Sequence, residues 1–161
     1  QFLVDVFHEW YEHDVGKIYV SQFDNLLGQW LGYPSTTCVH QPTCGQSLVT
    51  EANGDVYACD HFVYPEYKVG NLTQQPLTEI VLSSKQQQFG LEKSQKLTAL
   101  CRRCEFRKLC YGGCPKHRFI SLENEPNPHN YLCASYRYFF EQTAPYMQAM
   151  ARQIRLHPSA A

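Results

Sequence analysis

Eight cysteines carry the chemistry this 161-residue chain could do. They fall as Cys38-x5-Cys44-x14-Cys59, then Cys101-x2-Cys104-x5-Cys110-x3-Cys114, then Cys133 after eighteen intervening residues. Thiolates are soft ligands that suit zinc or iron–sulfur clusters, and both are usually held by four of them. Three cysteines lie in the first half and five in the second. Two four-thiolate sites therefore require one late cysteine to cross over and join Cys38, Cys44 and Cys59. If all eight are ligands, the two sites are stitched through each other, and metal binding is coupled to folding. Cysteine at about 5% is below the ~8–10% of small disulfide scaffolds. A chain of this length can also rely on its core rather than on staples, so the count favours metal or redox chemistry. Only Cys101/Cys104 has knuckle spacing, and none of the seven histidines sits at finger spacing from a cysteine pair. Spacing alone leaves clusters, zinc and disulfides open, in that order.

The rest of the composition sets the frame. Hydrophobic residues make up 43% and aromatics 14%, enough for a packed core. The formal net charge is −1, so no whole-chain field points to nucleic acid or an anionic membrane. No apolar run approaches the ~20 residues that span a bilayer, and no secretory signal opens the chain. The start lacks Met, which leads us to expect a piece of a longer protein.

The elements that must position the cysteines follow from periodicity. Phe2, Val6, Phe7 and Trp10 predict a helix to about residue 13, ended by Gly16. Lys17 to Val20 reads as a short strand, followed by a helix with Ser21 as N-cap and Gly32 as its stop. Residues 47–51 and 55–59 alternate around Asn53-Gly54, a hairpin pattern. Residues 60–71 read as irregular. Helical pieces are expected over 76–83, with Pro76 in the first turn, and over 84–91. Residues 101–118 read as an irregular metal-binding loop, with Gly112 and Gly113 letting the backbone turn tightly. A helix from about Tyr131, kinked at Pro145, closes the chain. The expected fold class is α+β: a small hairpin and cysteine-rich loops around two metal sites, flanked by helices.

Cys59-Asp60-His61-Phe62-Val63, Pro65-Glu66-Tyr67-Lys68-Val69-Gly70-Asn71, Phe89-Gly90, Gly112-Gly113-Cys114-Pro115-Lys116-His117-Arg118-Phe119 and Asn130-Tyr131-Leu132-Cys133 resemble the anaerobic sulfatase-maturating enzymes. Those are radical S-adenosylmethionine (SAM) proteins with a C-terminal SPASM domain. The likeness runs from about Phe7 to about Met150 and includes all eight cysteine spacings. It implies two auxiliary 4Fe–4S clusters, one on Cys38, Cys44, Cys59 and Cys114, the other on Cys101, Cys104, Cys110 and Cys133. Cys114 would then be the crossing cysteine. With every ligand place filled by protein, the expected role is electron transfer or structure rather than Lewis-acid chemistry.

The resemblance also implies the activity: oxidation of a sulfatase cysteine or serine to Cα-formylglycine. Asp60 matches the family's proposed base. On its residues alone it reads first as a turn residue bonding backbone N–H groups. A neighbouring anionic cluster is expected to raise its pKa. The family's CxxxCxxC loop, which binds SAM and a third cluster, does not occur here. Residues 1–33 are accordingly expected to be the last βα element of a partial barrel, and 34–161 the SPASM domain with its C-terminal helix. The chain alone would be inactive. An air-exposed preparation could hold adventitious zinc or no metal. Implied partners are a nascent sulfatase polypeptide and an electron donor such as flavodoxin or ferredoxin, with no nucleic acid and no membrane, in a cytoplasmic setting. Alternatives are a SPASM domain of another peptide-modifying radical SAM enzyme, or a structural zinc module that binds proteins. Arg102, Arg103, Arg107 and Lys108 could offset thiolate charge or form a solvated surface. His40, His61 and His117 are expected to be hydrogen-bonded structural groups. Tyr57, Phe62, Tyr64 and Tyr67 are expected to shield the metal sites.

Overall fold

Aromatic residues at helical spacing build one end of the molecule. The computed structural model describes residues 1–157; residues 158–161, at the end of the expected second domain, lie outside the described residues. Helix α1 (Phe2–His13) buries Val4, Phe7 and Trp10, and α2 (Ser21–Leu31) buries Phe23 and Leu26. Both pack on α7 (Cys133–Leu156), which contributes Phe139, Phe140, Met147 and Met150 to the same core. Phe7 and Phe23 meet edge to face at 5.4 Å, a favoured aromatic geometry. The core continues into Phe106 and Leu109, which flank two cysteines.

The β part is small. β1 (Val49–Thr50), β2 (Asp55–Tyr57) and β3 (Lys68–Asn71) form an antiparallel sheet in that order. Asn53-Gly54 makes the expected hairpin, with Gly54 at φ 85°. β3 was expected to be irregular. Its pairing is held by Asn71, whose amide donates to the Asn53 carbonyl and to Asp55, a long-range lock that local pattern does not reveal. β3 leans on α3 (Leu77–Leu82) through Gly70, where a Cβ would strike the fully buried Ile80. α4 (Ser84–Gln95) follows, capped by the Ser83 hydroxyl, and runs four residues past its expected end. A second pair, β4 (Arg118–Ile120) and β5 (His129–Asn130), is antiparallel. The class is thus α+β.

Several expectations change. Lys17–Val20 forms no strand. Lys17 and Ile18 N–H groups bond back to the Asp14 carbonyl, and the Trp10 indole donates to the Ile18 carbonyl at 2.9 Å, so the segment is a turn tied to α1. The α2 N-cap is Val20 rather than Ser21, its N–H bonded to the Asp24 carboxylate at 2.7 Å. The stretch expected to be irregular holds two short helices, α5 (Ala99–Arg103) and α6 (Arg107–Cys110). α7 begins at Cys133 and runs through Pro145, which lies on the exposed face where water can satisfy the Glu141 carbonyl it frees.

Candidate metal centres

The eight thiols gather as two groups of four, and all are free of disulfides. Cys38, Cys44, Cys59 and Cys114 line one cleft. Cys101, Cys104, Cys110 and Cys133 line another. Three early cysteines meet one late one, as the count requires, and the late one is Cys114.

The first group is organised by α4. Gln86, Gly90 and Lys93 share one buried face of that helix. The Gln86 amide donates to the carbonyls of Gly45 (2.9 Å) and Ala58 (3.1 Å), holding the segments that carry Cys44 and Cys59. The Cys44 N–H donates to the Gly90 carbonyl at 3.1 Å. The Lys93 ammonium donates to the carbonyls of Cys38 and Val39, the latter at 3.0 Å. Ahead of Cys38, buried Asn25 of α2 accepts from the Thr36 N–H at 2.8 Å and fixes the incoming loop. None of Gln86, Gly90 or Lys93 was singled out in this role from sequence. The only signal is a polar, glycine-containing i, i+4, i+7 face in a helix otherwise short of apolar residues.

The second group sits against the helical core. Cys101 lies in α5, whose N-cap Thr98 hydroxyl accepts from the Cys101 N–H at 3.3 Å. Cys104 closes α5, Cys110 ends α6, and Cys133 opens α7, where unpaired N–H groups favour negative charge. The cleft encloses about 260 Å³ and is bordered by Arg103, Arg107 and Arg137. Arg102 and Lys108 point elsewhere: Arg102 donates to the Leu97 carbonyl, and Lys108 is exposed. The first cleft is narrower, about 20 Å³, and its rim includes exposed Cys38.

Burial favours the protonated thiol at Cys44, Cys59, Cys110 and Cys133. The Cys59 thiol is pushed up to about 12, mainly by loss of water and further by Asp60. Cys110 is pushed up to about 11 by burial, with Cys101 and Cys133 adding repulsion. Cys44 rises by burial and through neighbouring Cys114 and Cys38, and Cys133 by burial and through Cys101 and Cys104. Four mutually repelling thiolates are stable together only around a cation, so the donor sets fit four-thiolate metal groups.

Asp60 is exposed beside the first cleft. Its carboxylate accepts from the Cys59 thiol at 3.2 Å, and that bond holds its pKa below the usual carboxylate value. The expected upward shift belongs to a site that holds an anionic cluster; here the Cys59 sulfur is a thiol donor. His61 adds a ring nitrogen 3.9 Å from Asp60 and a contact of 3.7 Å to the Cys114 sulfur; Cys59, Asp60 and His61 place their donor atoms within 4.8 Å of one another. His40 is buried against Tyr136 and Phe140, and burial takes its pKa down to about 4. His117 packs edge-on to Tyr131. Phe62, Tyr67 and Phe89 cluster near the first site, with Lys116 over the rings of Phe62 and Tyr64. Tyr57 is half-buried on β2.

Residues 38–105 match the family model of SPASM, an iron–sulfur cluster-binding domain. The chain is 44% identical to a serine-type anaerobic sulfatase-maturating enzyme of Bacteroides thetaiotaomicron over 95% of its length, and 33% identical to a cysteine-type enzyme of Clostridium perfringens over 96%. A solved structure of anSMEcpe with bound AdoMet superposes with a TM-score of 0.79 at 34% identity, covering 95% of this chain and 40% of that one. A native anSMEcpe structure with AdoMet and the Cp18Cys peptide gives the same score. The chain thus holds, over residues 38–105, a stretch similar to the SPASM iron–sulfur cluster-binding domain. It is homologous along nearly its whole length to the anaerobic sulfatase-maturating enzymes, and spans 37% and 42% of the two curated relatives it matches.

Proposed function

We propose that this chain is the auxiliary-cluster segment of a radical SAM enzyme that oxidises a sulfatase Cys or Ser to Cα-formylglycine. On this reading residues 34–161 are the cluster domain and residues 1–33 the end of a partial barrel. Cys38, Cys44, Cys59 and Cys114 hold one 4Fe–4S cluster, and Cys101, Cys104, Cys110 and Cys133 hold another. Support comes from the convergence of the eight thiols into these two groups, with no sulfur left over. When bound, such clusters accept and pass single electrons. The chain's own residues supply the rest. All-protein ligation leaves no place for substrate on the metal. The Phe62, Tyr67 and Phe89 rings limit water near the first site. Asp60, exposed next to Cys59, would take the proton of the substrate thiol or hydroxyl. SAM and the third cluster belong to a CxxxCxxC that does not occur among these cysteines. A sulfatase polypeptide as substrate, flavodoxin or ferredoxin as donor and a cytoplasmic setting complete the proposal. No helix among the described residues is long and apolar enough to cross a membrane.

The test is anaerobic reconstitution followed by iron and sulfide analysis. About eight irons per chain and a broad band near ~400 nm are expected of two four-iron clusters. A second reading takes its lead from the first cleft being the narrower of the two. There a single zinc ion would be tetrahedrally held. About four irons and one zinc would establish that version, and about two zincs and no iron would replace both with the zinc module.

A further inference from the structure

Between the two thiol groups lies a cation that neither uses as a ligand. Arg118 opens β4, and its guanidinium turns back on the link from Cys110 to Cys114. Nε donates to the Gly112 carbonyl at 3.2 Å. One terminal nitrogen donates to the carbonyls of Tyr111 (2.9 Å) and Gly113 (3.3 Å), the other to that of Lys93 (2.7 Å). Tyr111, Gly112 and Gly113 have φ of 46°, 73° and 63°. Three left-handed residues in succession, one of them not glycine, are held only if the surroundings over-determine them. The fork gathers all three of their carbonyls. Cys110 before this turn lines one cleft and Cys114 after it lines the other.

The same guanidinium reaches the second structural anchor. Its bond to the Lys93 carbonyl fixes the end of α4, and the Lys93 ammonium, with the residue 1% exposed, grips the Cys38 and Val39 carbonyls. The charge of Arg118 acts on Cys44 and Cys114 in one group and on Cys101 and Cys110 in the other. Among the cysteines, the charge of Lys93 acts chiefly on Cys44, Cys38 and Cys114, all of the first group. Guanidinium suits this place because it offers five fixed donors and keeps its charge when buried.

We propose that Arg118 is a positioning residue shared by the two sites, holding the 111–113 turn so that Cys110 and Cys114 part to opposite clefts and offsetting negative charge in both, while Lys93 serves the Cys38 site only. The proposal rests on the two-cluster reading above. A fixed cation beside a redox centre favours the form with the extra electron, so its removal moves the midpoint potential to more negative values.

The test is a redox titration of the anaerobically reconstituted chain, followed by electron paramagnetic resonance, with the two signals assigned by their loss in Cys38→Ala and Cys101→Ala. Arg118→Gln is expected to move both midpoints negative, and Lys93→Met only that of the Cys38 site. Arg118→Lys keeps the charge and loses the fork. Its two midpoints should stay near the wild-type values, while iron loss to a chelator becomes at least ~10-fold faster at both sites. The proposal is overturned if Arg118→Gln leaves either midpoint in place, if Lys93→Met moves both equally, or if Arg118→Lys retains iron as well as the wild type. Should Arg118→Gln hold no iron, the lysine and methionine variants decide by the same criteria. A wild-type chain without two iron signals would instead sink the two-cluster reading itself.

Discussion

Asp60 and Cys59 share one hydrogen bond, and the fate of its proton decides what each can do. With the thiol intact, the carboxylate is stabilised and is a weak base. Were a metal to displace the Cys59 thiol proton into solvent, the donor would become an anion, and its repulsion would move the Asp60 pKa upward. On the proposed function, loading the site would make Asp60 a better base. In an enzyme containing this segment, Asp60→Asn is expected to keep the iron content of both sites and to slow formylglycine formation by about 10²–10⁴-fold. Peptide mass spectrometry reads the product, and unchanged turnover would leave Asp60 as the turn residue its sequence also allows. The Cys59–Asp60 adjacency was legible because it is local. The role of Lys93 was not, because a lysine in a polar helix looks solvated until the fold closes over it.

At the scale of elements, α4 acts as the template of the first site. Its Gly90 touches Cys44 so closely that a Cβ would lie 2.7 Å from the Cys44 carbonyl oxygen, a backbone atom with no side-chain freedom to yield. Gly90→Ala is therefore expected to reduce iron or zinc at the Cys38 site while sparing the Cys101 site, read by metal content and by the two resonance signals. Equal loss at both sites would show that α4 supports the whole molecule rather than one site. The hairpin and the main helices were legible because their signals are periodic or lie within a few residues. β3, β4 and β5 were not, since short strands owe their existence to partners such as Asn71 with Asp55, far apart in sequence. The strand read at Lys17–Val20 shows the converse. Its apolar residues satisfy a strand pattern, but the neighbouring Asp14 carbonyl and Trp10 indole claim its backbone first.

Over the whole molecule, the metal-free state is poised against ionisation at both ends of the pH scale. Cys59 and Cys110 have folded pKa values of about 12 and 11 against an unfolded 9.0, so the folded state binds more protons above pH ~9 and stability falls as pH rises through that range. His40 has a folded value of about 4 against 6.5, so the unfolded state binds its proton first and stability falls as pH drops from ~6.5 to ~4, by an amount on the order of 3 kcal/mol. Chemical denaturation of the metal-free chain across pH should show a maximum between the two. A profile that keeps rising above pH ~9 would contradict the burial of these thiols. Metal uptake should release protons and tighten with pH through the neutral range. The need for a crossover was visible in the cysteine count. Its location at Cys114 came through family likeness; Gly112 and Gly113 signalled the tight turn that makes it possible, and that Tyr111 shares their left-handed backbone became evident only in three dimensions.

The crossover is best tested by removing Cys114 alone. Cys114→Ala, reconstituted anaerobically, is expected to hold about four irons and to show the resonance signal that survives in Cys38→Ala. If it shows instead the signal that survives in Cys101→Ala, Cys114 belongs to the other site, and the account of two interlocked thiol centres fails.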